Sequence, residues 1–235
     1  MKKNASHTAL LLFARTADEE VHYKNLLPGQ PLKKQKALFQ HLNIRAEHLL
    51  KATQLPYFIF NASHQQGETF GARLHAALAA VFSHGFENVM VIGNDCPALL
   101  PGDIQKAANQ LLLRDVVLGP TLKGGIYLLG LTRKIFEQTD NLEEIRWQTG
   151  KVVEDLSTFF KLKETAIFLL PKYTDVNQPG DLKKVVKNKN VSHLIRKIYF
   201  GSLCIKHWLS YKSPALELTY SLISHLVFRG PPKFI

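Results

Sequence analysis

The stretch "NVMVIGNDCPAL", Asn88 to Leu99, decides how the rest of the chain is read. Val89 to Ile92 are strongly strand-forming and show no polar alternation, the pattern of a strand buried on both faces. The run stops at Gly93-Asn94-Asp95-Cys96-Pro97, so a carboxylate and a thiol stand just past the strand's carboxyl end. Turn chemistry alone accounts for such a stop. An Asp that holds a metal and a phosphate accounts for it as well. The stretch by itself leaves both readings open.

Working outward, apolar runs alternate with helical periodicities. Thr8 to Arg15, Pro56 to Ser63, Asp115 to Thr121, Gly125 to Leu131 and Thr165 to Leu170 read as further strands. Residues 31–52 are Leu-rich at helical spacing. From Thr69 to His84, Phe70, Leu74, Ala77, Leu78 and Val81 share one helix face, and Gly85 closes it. Pro101 starts a helix running to Arg114, and residues 133–139 and 149–160 are also helical. Asp175 to Leu182, "DVNQPGDL", is a polar turn entering a short helix. Strands alternating with helices imply a three-layer α/β/α, Rossmann-like architecture with a mostly parallel sheet. In such sheets ligands bind beyond the carboxyl ends of the strands. Asp95, Gly124-Gly125 and Asp175-Asn177 would gather there.

The 235 residues suffice for one sizeable core or a domain with an appendage. A 46% apolar and 21% charged composition is that of an ordinary soluble globular protein. The net charge of +11 is uneven: residues 187–235 carry eight Lys or Arg against Glu217 alone. The chain therefore divides into residues 1–186 and a basic extension, 187–235. Within the extension, helices starting at Ser192 and Ser213 are expected, each with one apolar face. Such faces favour packing on the same domain or on a second subunit. Peripheral attachment at the inner face of the membrane, with Tyr199, Trp208 and Tyr211 at the interface, comes next. Nucleic acid is the least favoured partner, because no recognised binding motif accompanies the charge.

Cys96 and Cys204 lie in unlike contexts and build no disulfide framework, which points to the reducing cytoplasm. The opening "MKKNASHTALLLFART" has an apolar run of only Ala9 to Ala14 and leads into charge, so it reads as a first strand, not a signal peptide. No run approaches the roughly 18 apolar residues of a membrane span. The histidines show no zinc spacing, and there is no Walker loop, Gly-x-Ser-x-Gly elbow or Gly-x-Gly-x-x-Gly.

"GETFGARLHAALAAVF", "VMVIGNDCPAL", "DVVLGPTLKGGIYLLGL", "WQT" and "DVNQPGDL" occur in the order and spacing of the DUF2064 family, which this chain resembles over residues 8 to 183. The resemblance implies the glycosyltransferase-A fold of nucleotide-diphospho-sugar transferases, shared with molybdenum cofactor guanylyltransferases. It implies a transferase acting on a nucleotide or nucleotide-sugar. It also points to Asp95 as a ligand of a divalent cation.

The residues' own chemistry runs alongside. A nucleoside diphosphate needs its charge neutralised, usually by Mg²⁺ or Mn²⁺, and these hard ions take oxygen ligands. Asp95 suits such an ion, with Asp175 or Asn177 as the second ligand. Arg15, Lys24 and Arg73 are candidate phosphate contacts, although Arg73 is equally placed to pair with Glu68 or Asp95. Gly124-Gly125 would let the backbone approach a ligand or adopt a positive φ. Lys123 stands where the family usually has Asp, and is either a phosphate contact or a solvated lysine. Arg15 to Lys24 replaces the family's usual glycine-containing loop with three acids and no glycine, and could form a helix. Cys96 and Tyr127 read as packing residues. The expectation is a metal-dependent glycosyltransferase using a nucleotide-diphospho-sugar. The alternatives are a nucleotidyltransferase releasing pyrophosphate, and a non-catalytic binding protein on the same fold. No general base can be nominated.

Overall fold

The computed structural model describes residues 7–140 and 142–210, with side chains of the last helix as far as Ser202. The buried apolar runs form the middle of a six-stranded sheet: β1 (Thr8–Phe13), β3 (Asn88–Ile92), β4 (Val116–Pro120) and β5 (Ile126–Thr132). The edges are β2 (Tyr57–Phe60) and β6 (Ile167–Leu169), both partly exposed. The spatial order is β2-β1-β3-β5-β4-β6.

Five strands point the same way, as expected, and β5 runs against its neighbours β3 and β4. The reason is the connection. Residues 121–125 are too few for a parallel crossover, which needs roughly a dozen or more residues, so β4 and β5 close as a hairpin. The sheet is therefore mixed, and β5 begins at the edge where the other strands end.

Helices cover both faces. A single turn, α1 (Ala17–Glu20), follows β1, and α2 (Leu32–Thr53) follows that. On the other side of β2 come α3 (Phe70–Phe82) and, after β3, α4 (Pro101–Leu111). The later helices are α5 (Arg133–Glu137), α6 (Val152–Lys161), α7 (Pro179–Val185) and α8 (His193–Ser210). Alternate strand residues go to opposite layers, as the period of two requires. Leu11, Val89, Val91, Leu118 and Leu129 face α3, α5 and α6, whereas Leu10, Met90, Ile92, Val117 and Leu128 face α2 and α4. A third cluster joins Leu38, Phe39 and Leu42 of α2 to Leu182 and Val185 of α7 and Ile195 of α8.

The helix expected from Ser192 is α8. Val191 and Ile195 are buried in the third cluster, and Gln30 Nε2 donates to the Ser202 carbonyl at 3.0 Å. The helix expected from Ser213 lies outside the described residues. Among those described, no helix is long and apolar enough to cross a membrane.

The hairpin turn depends on Gly124. Its φ is +84°, and a Cβ there would stand 2.0 Å from the Gly150 carbonyl oxygen, in the loop before α6. Gly124→Ala must therefore strain the backbone and push two loops apart. The expected loss is about 1–3 kcal/mol, the range for a non-glycine residue held at such a φ, or more once the clash is added. Urea unfolding of the variant against wild type measures it.

Candidate functional site

The open cleft of about 960 Å³ lies across the carboxyl edge of the sheet. Arg15 enters it after β1, Asp95 after β3, Lys123 and Gly125 from the β4–β5 turn, and Asp175 and Asn177 from the chain after β6. Arg73, in the first turn of α3, lines it too. The residues singled out in the sequence are thus brought together, except Gly124, which packs against Gly150.

Strand order alone does not bring Asp175 to Asp95, because β5 and β4 separate β3 from β6. A strap does. After β6, the Tyr173 amide donates to the Pro120 carbonyl at 3.2 Å, and the Tyr173 carbonyl accepts from Leu122 at 2.8 Å. The strap then crosses to β3, where the Val176 amide donates to the Asp95 carbonyl at 2.8 Å. Two side chains hold it down: Tyr127 donates its hydroxyl to the Pro171 carbonyl at 2.8 Å, and Tyr173 donates to both oxygens of Asp103 at 3.1 Å.

The acid-rich segment after β1 forms the opposite wall. Thr16 caps α1, accepting from the Glu19 amide while the Glu19 carboxylate accepts from the Thr16 amide at 2.8 Å. This capping box is legible as Thr16-x-x-Glu19. Glu20 is buried and takes two cations, Lys24 at 3.2 Å and Arg15 at 3.5 Å. Arg15 also lies over the Tyr23 ring, 4.0 Å from its centroid. Lys24 reaches past Glu20 to Asp95 Oδ2 at 3.3 Å. Burial by itself would lower the Lys24 ammonium, but the charges of Asp95 and Glu20 outweigh it and hold it above lysine's ordinary value.

Asp175 is buried. Its Oδ2 accepts from the Asn177 amide nitrogen at 2.6 Å, and its Oδ1 is buried without a hydrogen-bond partner. Burial first, and then the nearby Asp95 charge, raises the Asp175 carboxyl above the usual carboxylate value. A buried unpartnered carboxylate oxygen is costly, and a cation would relieve it. Among the described residues no three His, Cys, Asp or Glu side chains form a ready metal cluster. Two carboxylates with ligand phosphates and water are nevertheless the ordinary donor set for Mg²⁺. Asp95 and Asp175 fit that set; Asn177 here serves as a hydrogen-bond donor to Asp175.

The remaining candidates are tied to protein groups. Lys123 forks onto Asp181, 2.7 Å and 2.8 Å from its two oxygens. Asp181 is buried and also accepts from the Gln178 amide at the start of α7 at 3.0 Å. Arg73 pairs with neither carboxylate proposed for it; it donates to the carbonyls of Glu68 and Gly67 at 2.8 Å and 3.4 Å. Gly125 donates its amide to the Thr121 hydroxyl at 3.0 Å, and a Cβ there would come within 3.7 Å of Asp175 Oδ2. Trp147 lines the cleft from the loop before α6, its ring 5.1 Å from Phe70 and its Nε1 donating to the Leu142 carbonyl at 2.6 Å. Glu20, Tyr23 and Trp147 acquired no role in the sequence reading. Glu20 had a signal, four residues before Lys24 on a helix turn.

The mixed, mostly parallel six-stranded sheet with helices on both faces is a nucleotide-diphospho-sugar-transferase-like fold. The fold is similar to that of a crystal structure from Desulfovibrio desulfuricans G20 described as a "putative nucleotide-diphospho-sugar transferase". That structure is 23% identical, with a TM-score of 0.70 over 87% of this chain and 96% of its own. Residues 42–149 match the model of DUF2064, "Uncharacterized protein conserved in bacteria", in agreement with the resemblance that the motifs carry. Remoter likenesses include a cytidylyltransferase from Leptospira borgpetersenii (13% identical, TM-score 0.43, covering 95% of this chain and 99% of that one). Another is the Rv0371c protein of Mycobacterium tuberculosis, crystallised with manganese (12% identical, TM-score 0.45, 79% and 100%). No curated protein matches the sequence.

Cys96 and Tyr127 behave as packing residues. Tyr127 is buried, and burial raises its phenol. Cys96 is buried among Leu99, Ile104 and Tyr127, and burial, then the Asp95 charge, pushes its thiol up to about 12. A folded value above the unfolded one means that ionisation disfavours the fold. The contribution is whole below the ordinary thiol range and is lost as pH rises towards 12. Native Cys96 should therefore react with iodoacetamide at pH 8 at least about a hundredfold more slowly than in urea, since only the thiolate attacks. Mass spectrometry of the Cys96 peptide reads the two rates, and comparable rates would contradict the assignment.

Proposed function

We propose that this protein is a transferase acting on a nucleotide-activated donor, a nucleoside-diphosphate sugar, with a divalent cation at the diphosphate. The observation that carries this reading is the pairing of Asp95 and Asp175 at one edge, with Asp175 Oδ1 buried and unpartnered. Asp95 and Asp175 would hold Mg²⁺ or Mn²⁺. The ion, when bound, supplies positive charge to the diphosphate and stabilises it as a leaving group. Arg15 and Lys24 bring cationic donors to the same cleft for the phosphate oxygens. Val176, bonded to the Asp95 carbonyl, keeps the two carboxylates in register. The cleft's volume of about 960 Å³ leaves room for a second substrate beside the donor. A cytoplasmic setting agrees with this substrate class.

One observation favours a second reading, nucleotide binding without transfer. Lys123 stands where the resemblance leads one to expect a carboxylate, and it is spent on Asp181. The hairpin therefore offers no acid or base to activate an acceptor.

Titration calorimetry with UDP-, GDP- and CDP-linked sugars, with and without Mn²⁺, tests the donor site. Binding should require Mn²⁺, and Asp95→Ala should weaken it about 10- to 100-fold, the cost of losing one charged hydrogen-bonding group. No binding across the panel would sink the reading. Binding with no sugar or nucleotide released in a product assay would support the second reading instead.

A further inference from the structure

Lys24 holds its ammonium between two carboxylates of unlike standing. Glu20 is buried, sits one helical turn away and is shared with Arg15, so it is a fixed post. Asp95 is half-buried at the mouth of the cleft and belongs to another segment of the chain. A lysine has a flexible stem and rotatable donors, so it can keep one partner and leave the other. The contact with Asp95 occupies one oxygen, Oδ2, and leaves the buried Oδ1 of Asp175 unserved. The lysine thus serves Asp95 and not Asp175.

We infer that Lys24 is an exchangeable counter-ion: it guards Asp95 against a bare divalent cation, and pivots on Glu20 to the ligand's phosphate when cation and diphosphate arrive together. This rests on the metal-diphosphate reading above. An ammonium and a divalent cation on the same carboxylate repel each other strongly at this range. Displacing Lys24 from Asp95 leaves its ammonium only Glu20, already shared with Arg15, and that loss of pairing for a partly buried charge is costly. A diphosphate removes that cost by offering oxygens to the displaced ammonium. The cleft therefore favours the cation-diphosphate pair over either ion alone. Glu20 is the positioning residue, because without it Lys24 has no pivot.

Mn²⁺ binding to the full-length protein, followed by electron paramagnetic resonance with and without UDP or GDP, provides the test. Lys24→Met should bind bare Mn²⁺ about tenfold or more tightly than wild type, and should lose most of the gain that the diphosphate gives. In wild type, acylation of Lys24, read by peptide mass spectrometry, should rise several-fold on adding Mn²⁺ and fall again with the diphosphate. Unchanged Mn²⁺ affinity in a folded Lys24→Met protein overturns the inference. If that variant does not fold, Lys24 acylation in wild type that ignores saturating Mn²⁺ overturns it instead. Asp95→Ala separates the two claims. Mn²⁺ binding at wild-type strength in Asp95→Ala removes the metal role itself, whereas binding that needs Asp95 but ignores Lys24 removes only the exchange.

Discussion

A single backbone hydrogen bond, from the Val176 amide to the Asp95 carbonyl, lands the strap that follows β6 on the end of β3. The candidate site depends on it. Without that landing, Asp175 would remain at the far side of β4 and β5, and the cleft would hold one carboxylate instead of two. Val176 fixes the landing by burying its side chain in the cluster formed with α2 and α7. Tyr127 and Tyr173 secure the middle of the strap from below, each through its hydroxyl. Apolar burial and directed hydrogen bonds thus act on the same segment, and the carboxylate pair is their product.

The fold was largely legible because its middle strands are short apolar runs set between helical periodicities, and that pattern allows few architectures. The direction of β5 was not read, although its evidence was in the chain: five residues between two strands permit a hairpin and forbid a crossover. The strand ends lie one to three residues inside or beyond the expected bounds, the largest difference at β2, which ends at Phe60 and not at Ser63. The first strand was read well, since Thr8 to Phe13 is buried throughout.

The site was legible as a set of positions and much less as a set of partners. Asp95, Asp175, Lys24 and Arg15 do share a cleft. That Lys24 reaches Asp95, or that Lys123 is held by Asp181, depends on side chains meeting across long sequence separations. Residue type and spacing carry no such information. The acids after β1 were read as a departure from phosphate binding. In the structure they divide their work: Glu19 closes the capping box, and Glu20 organises the two cations.

The two walls of the cleft are built in mechanically different ways. On the hairpin side, Gly124 lies against Gly150 and its carbonyl accepts from the Val153 amide at 3.0 Å, so main chain meets main chain with no side chain between. Such a contact has no rotamer to turn. On the α1 side, the wall facing the ligand consists of long side chains gathered on one buried glutamate. Those chains can be re-aimed without unfolding anything. The cleft is therefore a vice with one fixed jaw and one adjustable jaw, the adjustable one built from the side chains that follow β1.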